Sequence, residues 1–139
     1  MDILVSFPEG KRVVAQVGAF NIVTDQPVEV GGAGSAPAPF DLFLASLATC
    51  AGIYALGFCQ ARGIPTEGLR LVQHVDYDEA TGIPRAFHLE LTPPAGFPEK
   101  YRASLLRAVE LCKVKKTMAA LPPVVVAFAP SWEAACVAE

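Results

Sequence analysis

Charge is scarce in this chain of 139 residues. Charged side chains make up 18% of it, against about 25% in soluble domains. The 11 Lys and Arg are outnumbered by 14 Asp and Glu, for a net charge of −3. Phosphate backbones require a basic footprint, so nucleic acid is excluded as the main partner. Histidine occurs only twice, at His74 and His88, with no carboxylate at ligand spacing, and no metal is expected. Of the four cysteines, Cys50, Cys59, Cys112 and Cys136, no two form a CxxC, and none joins a histidine at zinc-ligand spacing. The glycine-rich stretch GGAGSAP holds neither GxxxxGK[ST] nor GxGxxG, so no nucleotide cofactor is expected. The start, MDILVSFPEGKRVV, lacks a basic leader and an apolar h-region, which makes the cytoplasm the expected compartment. Structural disulfides are uncommon there, and a reactive cysteine becomes an alternative to a packed one.

Apolar residues are abundant, at 53%. The length predicts one domain over residues 1–139, large enough to bury a core. The surplus of apolar side chains predicts that some surface is buried against another chain. Residues 42–59 carry no charge, which raises the question of a membrane span. Ala45, Ser46, Ala48, Thr49, Ala51, Gly52, Ala55 and Gly57 are small, however, and no aromatic or Lys/Arg belt flanks them. The better reading is a central helix buried on nearly all sides, within the domain or a dimer, and no membrane partner is expected.

The order of elements follows from turns and periodicity. Residues 3–7 and 12–17 read as strands about the turn Pro8-Glu9-Gly10-Lys11, with a third strand at residues 20–24. Residues 25–38 form a loop rich in Gly, Pro and Ala. Pro39 suits a first helical turn and Asp41 the positive end of the helix dipole; that helix runs to about Arg62, before Gly63-Ile64-Pro65. Residues 69–77 and 85–91 alternate as a hairpin. A second helical region starts near Pro98, and residues 124–128 read as a short buried strand. The tail around Trp132 is ambiguous. The result is an α+β domain.

The second helical region contains a conflict. Tyr101, Leu105, Ala108 and Cys112 line one stripe, whereas Leu111, Val114, Met118 and Leu121 line another, rotated by more than a third of a turn. A break near Cys112 resolves it. Cys112 then lies at the start of a short helix beside Lys113, Lys115 and Lys116, where helix dipole and ammonium groups favour thiolate. The plainer alternative is a small core residue next to a solvated face. Cys50 shares its face with Phe43, Ser46, Leu47 and Tyr54; such surroundings raise a thiol's pKa unless a cation such as that of Arg12 reaches it. Cys59 stands nine residues further on, about 13 Å along a helix and out of phase, too far for a disulfide with Cys50. Packing is the expected role of Cys59 and Cys136, and partly exposed strand positions that of the histidines.

Two segments carry a resemblance. GGAGSAPAPFDLFLASLATC, residues 31–50, resembles the approach to the first reactive cysteine of the OsmC/Ohr family, the osmotically inducible and organic hydroperoxide resistance proteins. CKVKKTMAALPPVVV, residues 112–126, is similar to that family's second cysteine segment, and the two cysteines stand 62 residues apart. The resemblance implies an OsmC-like fold: long central helices against curved antiparallel sheets, in an intertwined homodimer. It implies a thiol-dependent peroxidase acting on small apolar organic hydroperoxides, with hydrogen peroxide as a further substrate, in oxidative-stress defence. Cys50 would be the peroxidatic cysteine, Cys112 the resolving one, and Arg12 the thiolate-stabilising cation, with an external dithiol as reductant and no cofactor. Two rival readings on the same fold are a non-catalytic small-molecule-binding dimer and a redox sensor. The chain departs from the organic-hydroperoxide branch, which has Glu directly after the proline and a CPxS-like second motif. Here Phe40 and Asp41 follow Pro39, and Lys113 follows Cys112. In both respects it is closer to the YhfA-like branch.

Overall fold

The computed structural model describes residues 1–128. Trp132 and Cys136 lie outside the described residues. The chain opens with an antiparallel meander of β1 (Leu4–Ser6), β2 (Val13–Val17) and β3 (Phe20–Thr24). Val17 pairs with Phe20 across a two-residue turn. Gly18, at φ 59°, takes the left-handed conformation that such turns demand.

The loop from Asp25 to the central helix is built on one carboxylate. Asp25 is 1% exposed. Its Oδ1 accepts the Gln26 N–H at 2.7 Å, and its Oδ2 accepts the N–H groups of Ala33 (3.2 Å) and Ser35 (3.0 Å) and the Ser35 hydroxyl (2.7 Å). These bonds hold the carboxyl pKa at about 2, the Ser35 backbone contributing most. The loop folds back so closely that a Cβ on Gly32 would stand 1.9 Å from the Gln26 carbonyl oxygen. No other residue fits there.

Helix α1 (Pro39–Gln60) starts as expected, with Pro39 at its first position. Asp41 does more than sit at the dipole: its Oδ2 accepts the Ala38 N–H at 2.9 Å. Leu47, Ala51, Ala55, Phe58 and Cys59 form the buried face of α1. The helix is long and apolar enough to cross a bilayer by length and composition alone. Here it packs against β4 (Arg70–Tyr77), α2 (Arg102–Val109) and α3 (Lys113–Ala120). β4 pairs antiparallel with β5 (Pro84–Thr92), and its side chains alternate in burial. The inner face of the hairpin carries Leu71, Phe87, Leu89 and Leu91 into the core. The outer face carries His74 directly opposite His88, each beside a carboxylate: His74 and Glu90 at 3.6 Å, His88 and Asp76 at 3.0 Å. Both histidines are exposed strand residues.

The helical break falls where the two stripes conflict. A single 3₁₀ turn (Glu99–Tyr101) leads into α2, α2 ends at Val109, and Cys112 caps α3. The strand expected at residues 124–128 is not there. Residues 121–128 form no regular element, and Val124, Val125, Val126 and Phe128 are each more than four-fifths exposed. Their β-branched content favours a half-buried pleated surface, and the preference is met only where a neighbouring strand supplies one. The three-stranded sheet likewise has its main contacts within itself and leaves Leu4, Phe7, Phe20 and Val23 exposed.

Candidate active site

Two elements distant in sequence bring two sulfurs together. Cys50 lies mid-way along α1, one residue before the fully buried Ala51. Alanine at 51 lets the start of α3 come close to α1. Cys112, at the N-cap of α3, is also fully buried and joins Leu47 and Ala51 in one core cluster, with Cys50, Tyr54 and Leu71 packed around it. The Cys112 Sγ accepts the Lys115 N–H at 3.5 Å, an N-cap made by sulfur in place of oxygen.

The first turn of α3 is directed at Cys50. The Cys50 thiol is held below the ordinary range, chiefly by the Val114 N–H. The Cys112 thiol, the Lys113 N–H and the Lys113 ammonium add to this, against the cost of partial burial. Free N–H groups at a helix start favour an anion, and a thiolate is one. Cys112 behaves oppositely. Burial pushes its thiol up, and the neighbouring Cys50 pushes it further, while the Lys115 N–H works against both. A helix start beside Cys112 suggests from sequence that Cys112 gains the thiolate character. The geometry gives that character to Cys50, because the free amides of the turn face across to α1.

Arg12 stands elsewhere. It pairs with Glu9 and lines a small depression with Lys11, Asp25 and Gly31, next to the loop that Asp25 holds. Within the single chain it is not among the groups that shift the Cys50 thiol. The charged side chain acting on Cys50 is that of Lys113. The sequence signal for it is the helical break, which puts Lys113 at the first position of α3. Cys59 is fully buried in the second core cluster, with Phe58 and Leu105, and burial raises its thiol. That is the packing role expected of it.

A cavity of about 520 Å³ opens beside the cysteines, between β5, α2 and α3. Leu47, Phe87, Leu89, Val109 and Met118 belong both to its wall and to the cluster around Cys112. Arg85, Glu110 and Lys115 are its charged residues. An apolar molecule of modest size would sit against the same side chains that pack the two sulfurs.

The sequence matches the family model of OsmC-like proteins over residues 32–127, which includes both cysteines and the loop and helices that carry them. The chain belongs to the OsmC-like family. No curated protein matches it. Solved structures share the fold of this OsmC-like chain. One is a protein from Psychrobacter arcticus assigned to osmotic stress induction and detoxification response, at TM-score 0.69 and 22% identity, covering 83% of this chain and 85% of that one. The OsmC-like protein from Mycoplasma pneumoniae follows at TM-score 0.63 and 20% identity, covering 85% and 86%. The organic hydroperoxide resistance protein OsmC from Legionella pneumophila aligns at TM-score 0.53 and 20% identity, covering 85% and 89%. The mixed α+β architecture, with three α-helices and two small antiparallel sheets among the described residues, is thus the OsmC-like fold.

Proposed function

We propose that this OsmC-like chain is a thiol-dependent peroxidase for organic hydroperoxides. The observation that carries the reading is the pairing of opposites at one contact: Cys50, with its thiol pKa lowered by the start of α3, against Cys112, with its thiol pKa raised. The Cys50 thiolate attacks the terminal peroxide oxygen. The O–O bond breaks, the alkoxide leaves with a proton as alcohol, and Cys50 becomes a sulfenic acid. Cys112 attacks that sulfur, a disulfide forms, and the hydroxyl leaves as water. An external dithiol returns both cysteines to thiols by exchange and is itself oxidised to a disulfide. The apolar wall beside the cysteines favours an alkyl or aryl hydroperoxide over hydrogen peroxide.

Peptide mapping tests this directly. Reduced protein receives one equivalent of cumene hydroperoxide or of hydrogen peroxide. The expected product is a Cys50–Cys112 disulfide, formed faster with cumene hydroperoxide and absent from Cys50→Ser. Unmodified thiols in the parent protein would remove the peroxidase reading, leaving a binding role for the cavity. Equal rates with the two peroxides would remove the substrate preference.

The working unit in this proposal is a cytoplasmic homodimer. Leu4, Phe7, Phe20 and Val23 on the N-terminal sheet and Ile53 on α1 are exposed apolar residues that a second copy would cover. Light scattering coupled to size exclusion should give twice the monomer mass. A monomer at micromolar concentration would argue against it.

A further inference from the structure

One wall of the cavity beside the cysteines ends in a cation. Side chains of a strand return to the same face at every second residue, and Phe87, Leu89 and Leu91 of β5 all line the cavity. Arg85 continues the same row one step beyond Phe87, about 7 Å along the strand, and it lines the cavity too. It is exposed, which places it at the rim rather than the floor. Glu110 and Lys115 are the other charged lining residues, and they pair with each other across the break between α2 and α3. The rest of the wall is apolar. Among the described residues Arg85 makes no ion pair, whereas Arg12 pairs with Glu9, Arg102 pairs with Glu99, and Arg62 lies over the Phe58 ring at 3.7 Å. The net charge of the lining is therefore positive, and it is that of Arg85.

We propose that this cavity takes an amphiphile with a single carboxylate, its apolar tail along the wall and its carboxylate on the Arg85 guanidinium. A guanidinium presents parallel N–H donors that match the two oxygens of a carboxylate. A neutral ligand of the same length gains the apolar contact but leaves the cation unanswered, and a cationic head group is repelled by it. The volume of about 520 Å³ suits such a ligand, since small-molecule sites span about 300–1,000 Å³. Phe87 links rim to sulfurs: it stands next to Arg85 in the row and belongs to the cluster that packs the two cysteines. Binding of the carboxylate does not depend on the peroxidase reading. Its meaning for turnover rests on that reading and narrows the substrate to a hydroperoxide with a carboxylate at the end remote from its O–O bond. Arg85 is then a specificity-determining residue.

Isothermal titration calorimetry on the full reduced chain tests this with decanoate, decanol and decyltrimethylammonium. Decanoate should bind about tenfold more tightly than decanol, the cation should bind most weakly, and the gap should narrow in high salt. Arg85→Met should close the gap between decanoate and decanol, and Arg85→Lys should keep most of it. Lys116→Met changes a lysine outside the lining and should leave all three affinities as in the parent. Thermal melts of these variants should match the parent, since both residues are exposed. In turnover, Arg85→Met should raise KM for para-carboxycumene hydroperoxide but not for its methyl ester; equal KM values for the two in the parent would remove the narrowing of the substrate. Equal binding of decanoate and decanol by the parent, binding of neither, or an undiminished gap in Arg85→Met overturns the proposal. Selectivity for decanoate that depends on Arg85, in a chain that consumes no hydroperoxide, upholds it while removing the peroxidase reading.

Discussion

Cys50→Ser should abolish hydroperoxide consumption, whereas Cys112→Ser should stop it after a single turnover. The two residues touch, so a merely structural site would respond similarly to either change. The proposed chemistry makes them unequal. Cys50 supplies the nucleophile, and a serine hydroxyl at the same place stays protonated and barely attacks peroxide. Its loss should cost a thousandfold or more, the order seen when a covalent nucleophile is removed. Without Cys112 the first step remains intact, because the Val114 and Lys113 amides and the Lys113 ammonium still face Cys50. One equivalent of peroxide is then consumed, and the sulfenic acid waits on Cys50, where dimedone labels it. Sustained turnover by Cys112→Ser at the parent rate, with the dithiol present, would show that Cys112 is not the resolving residue.

The second large effect lies far from the sulfurs. Asp25→Asn should lower the thermal midpoint by on the order of 10 °C. The carboxylate accepts four hydrogen bonds, three from backbone amides and one from Ser35. An amide in its place turns an NH₂ toward donors and leaves buried N–H groups unsatisfied. The loop so released is the one that leads into α1, where Pro39 and Asp41 set the start of the helix. The pH dependence follows from the same bonds. The carboxyl falls from an ordinary 3.8 to about 2 on folding. Its contribution is therefore complete above pH 3.8 and disappears as pH falls through about 2. An acid melt of the parent should lose stability across that window, and Asp25→Asn should lack that component. Superimposable acid melts would show that the loop stands without its anchor.

Much of this was readable in the residues, for reasons that differ along the chain. α1 declares itself through Pro39, a run without charge and a glycine-proline stop. The β4–β5 hairpin declares itself through its alternation along most of both strands, and the break before α3 through two incompatible stripes. These are local signals, and local signals survive into the fold. What failed to show depends on long-range contact. Asp25 reads as one polar residue in a loop, because its partners Ala33 and Ser35 are chosen by how the chain folds back over Gly32. Lys113 reads as part of a solvated lysine cluster, because its relation to Cys50 exists only after α3 packs on α1. Residues 124–128 have the composition of a strand, yet form no regular element among the described residues.

In the proposed peroxidase cycle, the contact between the two sulfurs would also act as a clock. Among the influences that keep Cys112 protonated, burial comes first, and the negative charge on Cys50 adds to it. In that proposed cycle, oxidation of Cys50 to a neutral sulfenic acid would remove the second influence, while the Lys115 and Val114 amides remain in place. Cys112 would thus become easier to deprotonate at the moment its proposed attack is needed, and would be restrained until then. Such timing would require no moving part: the charge on one sulfur would tell the other when to wait.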